Sequence, residues 1–314
     1  MKIDVEKLKK EKSIQELLEF GIINIDKPSG PTSFDISDFV REKLQLRKTS
    51  HFGTLDPKVT GVLPIALNRG CKLTGFFLGE DKEYVGVMRL HEEISMKELQ
   101  EMINSRFLGK IKQLPPVKSR VARILREREI KSFEILEQSE DKKSFLFKTE
   151  VQGGTYIRKL IHDLGEELGF GAHMLELRRI RAGIFGENGI FFENKKHNAG
   201  IFSEDDKNYP SVNLYDFEEA VKRYEEGNEK PLREIIIPGE VVSELFSIVE
   251  IKEEAAEKIL RGQPIYNENL VEMIKLEKGG LVCVFSKDKF IGIFKVVSEG
   301  RVFAKPEFVF QPVS

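Results

Sequence analysis

The stretch SHFGTLDPKVTGVLPIAL, residues 50–67, limits what this chain can fold into more than any other. Gly53 and Pro57 bracket a lone carboxylate, Asp56, and Gly61 leads into the apolar run VLPIAL at 62–67. Glycine permits and proline enforces particular φ values. The acid is therefore expected on a rigid turn that feeds a buried core strand. Loops supported by such a scaffold are where catalytic groups concentrate. The other reading of the same residues is a turn whose Asp hydrogen-bonds its own backbone. Spacing alone leaves both open.

The rest of the chain sets the class. At 314 residues it is long enough for more than one domain, and 40% hydrophobic with 32% charged residues describes a globular protein. No apolar run approaches the roughly 20 residues of a membrane span. The start, MKIDVEKLKKEKSIQELLEF, lacks a signal-peptide apolar core, so a cytoplasmic protein with no membrane partner is expected. Cys71 and Cys283 stand far apart, and the histidines (His51, His91, His162, His173, His197) lack ligand spacing. No metal is expected. Net charge is −2, but basic residues gather at 41–48, 118–131 and 178–181 while acids gather at 216–229. That segregation is compatible with one basic face on an RNA-binding protein.

Several further stretches stand out. GIINID at 21–26 reads as a strand, followed by the turn KPSGP and a helix capped by Thr32 or Ser33, with Ile36, Phe39, Val40 and Leu44 on one face. KEYVGVM at 82–88 is strand-like, 96–103 is a short amphipathic helix, and QLPP leads into the basic run VKSRVARILREREIK. That run alternates Lys118, Arg120, Arg123, Arg126 and Arg128 with apolar residues, as an exposed hairpin or loop gripping a phosphate backbone would. A strand at 145–151 passes through Gly153 and Gly154 into TYIR and a helix with Leu160, Ile161, Leu164 and Leu168 inward. Residues 187–211 are Asn/Asp/Lys/Gly-rich and read as a surface insertion, and 212–224 as a polar helix. A helix at 253–260 and strands at 281–285, 290–297 and 302–304 make a distinct C-terminal block.

NIDKPSGPTS, GTLDPKVTGVLPIAL, KEY and GGTYIRKLIHDLGEELGFGAHMLELRR occur in the order seen in the TruB/dyskerin family of RNA pseudouridine synthases, which the chain resembles over about 21–185. The resemblance implies an α+β fold: a catalytic domain with a mixed, largely antiparallel sheet over 21–245, containing the 187–211 insertion. It also implies a β-barrel PUA domain over 246–314 and an N-terminal arm, 1–20, packed on that domain. It makes Asp56 the catalytic residue, Arg158 its ion-pair partner and Tyr84 the aromatic that stacks on the target base. Lys27 and Pro28 support the catalytic loop. His51 contacts RNA near the flipped nucleotide, Leu177 and Arg179 line the base pocket, and Lys118, Arg120, Arg123 and Arg126 belong to a thumb over the RNA. Taken singly, Tyr84 also reads as a core residue, His51 as a structural one and Arg158 as half of a surface salt bridge. The sequence departs from the family pattern at Ser50, Phe52, Gly280 and 267–270.

The reaction class needs no cofactor. The archaeal dyskerin type acts with an H/ACA guide RNA on rRNA or tRNA, beside Nop-type and Gar-type small proteins and an RNA-bound kink-turn protein. The long G-x-x-L-Y-x-x-A-R thumb pattern of stand-alone tRNA enzymes is missing here. A guide-independent T-loop enzyme and a catalytically silent RNA-binding scaffold are the alternatives.

Overall fold

The computed structural model describes residues 3–115, 122–187 and 209–311. Two short helices open the chain: α1 (Val5–Glu11), capped by Asp4, and α2 (Ile14–Glu19), whose Ser13 and Glu16 form a capping box. Met1–Gly21 forms one compact unit together with Ile237–Ser314, and Ile22–Ile236 forms the other. Phe20 explains the first grouping. Its ring centroid is 4.3 Å from that of Phe310 and 5.7 Å from that of Phe290, and a Cβ on Gly239 would meet the ring at 2.6 Å. Lys7 pairs with Asp288 at 3.0 Å, and Lys12 with Glu240.

The larger unit follows the chain as β1 (Gly21–Lys27), α3 (Ser33–Lys43), β2 (Thr49–His51), β3 (Thr60–Leu67), α4 (Thr74–Leu78) and β4 (Lys82–Leu90). It continues through α5 (Met96–Arg106), β5 (Gly109–Gln113), β6 (Arg126–Gln138), β7 (Ser144–Val151), α6 (Ile157–Leu168) and β8 (Ala172–Ala182). The sheet runs β1-β3-β8-β4-β7-β6-β5, with β2 also on β3. Every pair along it is antiparallel except β3–β8, which is parallel. β3 is buried from Gly61 to Leu67, as its unbroken apolar run predicts for a strand covered on both faces. β7 instead alternates buried and half-buried residues, the mark of one covered face.

α6 buries Ile157, Leu160, Ile161 and Leu164; Leu168, expected inward, is only half-buried in the last turn. Thr32, not Ser33, caps α3, because Asp35 returns the bond to complete a capping box. The basic run is in part regular structure: β6 begins at Arg126, opposite Gln113 at the end of β5. Lys118 and Arg120 lie outside the described residues, as does most of the 187–211 stretch. Short strands β9 (Phe185–Gly186) and β10 (Tyr209–Pro210) flank it in parallel pairing. Helices α7 (Leu214–Glu225) and α8 (Lys230–Ile235) and strand β11 (Ile236–Pro238) follow.

The smaller unit adds β12 (Ser247–Glu250), α9 (Glu253–Leu260), β13 (Ile265–Tyr266), β14 (Leu281–Ser286), β15 (Lys289–Glu299) and β16 (Val302–Val309). Its five strands are ordered β12-β14-β15-β16-β13 and curl around Val249, Ile259, Val284, Phe294 and Phe303, in keeping with a PUA-like domain. β16 runs past the expected 302–304 because β15 pairs with it as far as Val309, whereas β13 covers it only to Ala304. Pro306, opposite Phe294 of β15, falls in the stretch that β13 leaves uncovered. Among the described residues no helix is long and apolar enough to cross a membrane.

Candidate active site

Asp56 is positioned by backbone bonds that do not engage its side chain. The turn 56–59 closes through a 2.9 Å bond from the Val59 N–H to the Asp56 carbonyl, with Pro57 in its favoured second place. Lys27 on β1 lies beneath. Its ammonium donates to the carbonyls of Pro28 (2.8 Å), Pro57 (3.1 Å) and Val59 (2.9 Å). Burial pushes the Lys27 pKa below the usual lysine value. The Gly30 N–H adds a 2.9 Å bond to the Pro57 carbonyl.

Ser33 closes the other side. Its hydroxyl donates to the Leu55 carbonyl at 2.9 Å and accepts from the Leu55 N–H at 2.7 Å. Gly61, at φ +101°, lets β8 approach so closely that a Cβ would lie 2.1 Å from the Arg179 carbonyl.

Against this fixed turn the Arg158 guanidinium stands 2.6 Å from Asp56 Oδ2, with the two side chains 59% and 55% exposed. Arg158 lies in the first turn of α6, and Gln113 at the end of β5 fixes the approach to that helix. The Gln113 side chain accepts from the Tyr156 N–H at 3.0 Å and donates to the Tyr156 carbonyl at 3.3 Å.

Arg179 ties the next layer together. It is buried, donates from Nε to the Val62 carbonyl (2.8 Å) and from a terminal nitrogen to the Gly53 carbonyl (3.1 Å), and bonds the Tyr84 hydroxyl. Its desolvation lowers the guanidinium pKa from its ordinary high value. The guanidinium is thus occupied within the protein, holding the Gly53 and Val62 backbone on either side of the Asp56 turn, and Tyr84. Tyr84 itself is 8% exposed on β4, directly across from Arg179. Leu177, two residues before Arg179 on β8, is half-buried opposite Gly86.

His51 ends β2, partly buried, with its Nδ1 enclosed and without a hydrogen-bond partner. Burial, then the Arg179 charge, push its pKa below the usual histidine value, so the ring is neutral at neutral pH. Pro28 is exposed beside the turn, Arg123 is exposed between β5 and β6, and Arg126 is half-buried at the start of β6.

Three supports were not foreseen from the sequence: Ser33, Gln113 and Lys82. Lys82 donates to the carbonyls of Phe77, Leu78 and Glu80, and burial, then the neighbouring Arg179 charge, bring its pKa down to about 8. Serine inside PTS and glutamine before LPP offer no spacing signal, since their partners are 22 and 43 residues away. Chemically, the arrangement presents one immobilised carboxylate with a guanidinium against it, at an open surface, above a buried Tyr–Arg layer. That suits attack on, or proton removal from, a sugar carbon by a carboxylate of fixed orientation.

The family profile described as TruB family pseudouridylate synthase (N terminal domain) matches residues 41–157. The profile for the tRNA pseudouridylate synthase B C-terminal domain matches residues 158–195. A protein of Methanopyrus kandleri named "Probable tRNA pseudouridine synthase B" is 41% identical over 278 residues, 88% of this chain and 75% of that protein. A protein of the same name in Archaeoglobus fulgidus is 37% identical over 290 residues, covering 92% and 82%.

Among solved structures, a chain of the "Crystal Structure of a Cbf5-Nop10-Gar1 Complex" superimposes with a TM-score of 0.81 at 33% identity, over 97% of this chain and 89% of that one. A chain of the "Structure of H/ACA RNP bound to a substrate RNA containing 2'-deoxyuridine" gives 0.79 at 31% identity, again over 97% and 89%. The chain belongs to the TruB family of pseudouridine synthases, enzymes that isomerise uridine within RNA.

Proposed function

We propose that this chain is the catalytic subunit of a cytoplasmic H/ACA-type ribonucleoprotein, in which a guide RNA selects the uridine of rRNA or tRNA to be isomerised. The observation that carries this is the likeness, over 97% of the chain, to the protein chains of the Cbf5-Nop10-Gar1 complex and of the substrate-bound H/ACA particle. The missing long thumb pattern supports it as well. The partners are then guide and target RNA, Nop-type and Gar-type small proteins, and a kink-turn protein carried by the RNA.

In the reaction the bond from ribose C1′ to uracil N1 breaks, the ring turns, and C1′ is rejoined to carbon 5, whose proton leaves while the freed N1 takes one up. Nothing is oxidised or reduced. Asp56 acts on the sugar, by attack at C1′ or by taking a proton, while Arg158 fixes the carboxylate and balances its charge. Tyr84 stacks on the extruded uracil and assists loss of the carbon 5 proton, with His51 and Leu177 lining the pocket and Arg179 bracing it from within. Lys27 and Pro28 hold the turn. Arg123 and Arg126, with Lys118 and Arg120, track the phosphate backbone.

A second reading has its own support: the curated relatives are named as tRNA enzymes, which fits guide-free action on a T-loop uridine. Pseudouridine formation on a bare tRNA transcript, compared with a short target supplied with a matching two-hairpin guide RNA and the Nop-type partner, separates the two. Conversion only of the guided target establishes the particle. Equal conversion of bare tRNA replaces that conclusion with a stand-alone enzyme. Guide binding without conversion of either substrate leaves an RNA-binding scaffold.

A further inference from the structure

Phe34 is an aromatic side chain for which the site described so far has no task. It is 70% exposed, yet it follows Ser33, whose hydroxyl is locked onto both backbone groups of Leu55. Its Cα is therefore one step of about 3.8 Å from a residue that touches the loop carrying Asp56. Phe34 also sits in the first turn of α3, and side chains there lean toward the helix N-terminus. That end of the helix borders the turn where Gly30 and Lys27 bond the Pro57 carbonyl.

The chemistry at this helix end favours a base over a phosphate. Thr32 and Asp35 complete a capping box that takes the N–H groups of both, and the Asp35 carboxylate opposes an incoming anion. What Phe34 offers an RNA strand is a flat apolar ring. Single exposed apolar residues are ordinary on protein surfaces. Phe34 differs in being pinned, through Ser33, to the loop that carries the catalytic carboxylate.

We infer that Phe34 is a stacking platform for a nucleobase adjacent to the target uridine, holding the strand while the uridine is drawn toward Asp56. This rests on the RNA-uridine isomerase activity of the family and is independent of whether a guide is used.

The test is a protein–RNA coupling experiment with Phe34→Ala, Phe34→Leu and Phe34→Trp. Affinity is read by fluorescence anisotropy on target RNAs that carry an abasic site at each position flanking the uridine in turn. Binding requires no turnover, so the result stands even if neither proposed substrate is converted. Loss of one stacked base weakens binding roughly 5- to 150-fold. Phe34→Ala and Phe34→Leu should show such a loss, appearing in KM with little change in kcat where turnover is measured, and Phe34→Trp should restore it. At one flanking position the abasic RNA should bind the wild type as weakly as intact RNA binds Phe34→Ala, and the two changes together should cost no more. Unchanged affinity in Phe34→Ala overturns the inference. So does a loss that adds to the abasic loss at every position, or one seen only with a small protein partner present, which would make Phe34 a protein contact.

Discussion

At the scale of residues, Asp56 divides its work between backbone and side chain, and a mutant can separate the two. Its carbonyl closes the turn to Val59 while its carboxylate meets Arg158. Asp56→Asn keeps Pro57 and the turn bond, so its melting temperature should stay within about 2 °C of wild type. Its activity, followed by tritium release from carbon 5 of labelled uridine, should fall by roughly a thousand-fold or more. A variant within ten-fold of wild type would remove Asp56 from the chemistry. Lys82 makes a prediction of the opposite kind, about stability and not rate. Its folded pKa of about 8 lies below that of an unfolded lysine, near 10.4. Below pH 8 both states carry the proton and the folded state bears the full desolvation penalty. Between about 8 and 10.4 the folded state sheds its proton first, the unfolded chain binds more protons, and stability rises with pH. Urea unfolding at pH 7.5 and 9.5 should show a Lys82 contribution of about 2 kcal/mol, and Lys82→Met should lack that increment. The Asp56–Arg158 pair was legible because each residue sits in a long motif. Ser33 and Gln113 were not, because a side chain bonding a distant backbone leaves no periodic trace.

At the scale of elements, the site depends on where strands may approach and on what fixes helix starts. The pairing of β3 with β8 is possible because residue 61 lacks a Cβ and tolerates φ +101°. Gly61→Ala places an atom against the Arg179 carbonyl in a backbone region that L-residues avoid. It should lower unfolding free energy by about 3 kcal/mol or more in denaturant titrations. A loss under 1 kcal/mol would show that the strands can part without consequence. Gln113 acts on the other half of the ion pair. Gln113→Ala leaves the Tyr156 N–H without its partner, takes one of two donors from the Tyr156 carbonyl (the Leu160 N–H remains) and frees the approach to α6, so Arg158 should pair less well with Asp56. About a ten-fold drop in kcat with little change in KM is expected, from a loss of about 1–3 kcal/mol of fixing bonds. The strand and helix pattern was readable wherever burial is periodic, as in β7, α6 and α9. It failed where pairing or length decides the outcome: β16 continues through Pro306 because β15 pairs with it as far as Val309 while β13 stops at Ala304, and α4 is too short to carry a period.

At the scale of the whole molecule, Met1–Gly21 and Ile237–Ser314 share one compact unit. The family resemblance implied an arm over 1–20, but the aromatic that ties it down, Phe20, sits at the arm's last position and lies outside helix α2. Its ring is buried against Phe290 and Phe310 and occupies the room left by Gly239. Such a ring is worth several kcal/mol, since truncating a buried Phe costs about 3–5 kcal/mol. The loss should fall on the unit that contains it. In Phe20→Ala, amide hydrogen exchange should quicken in β14, β15 and β16, whose opening would no longer be opposed by the aromatic cluster. Protection in β4 and β7, which belong to the unit spanning Ile22–Ile236, should change little, because their bonds are made inside that unit. Uniform loss of protection across both sets of strands would mean that the chain unfolds as one cooperative body. Unchanged protection in β15 would mean that the Phe20 contacts carry little of the stability their burial implies.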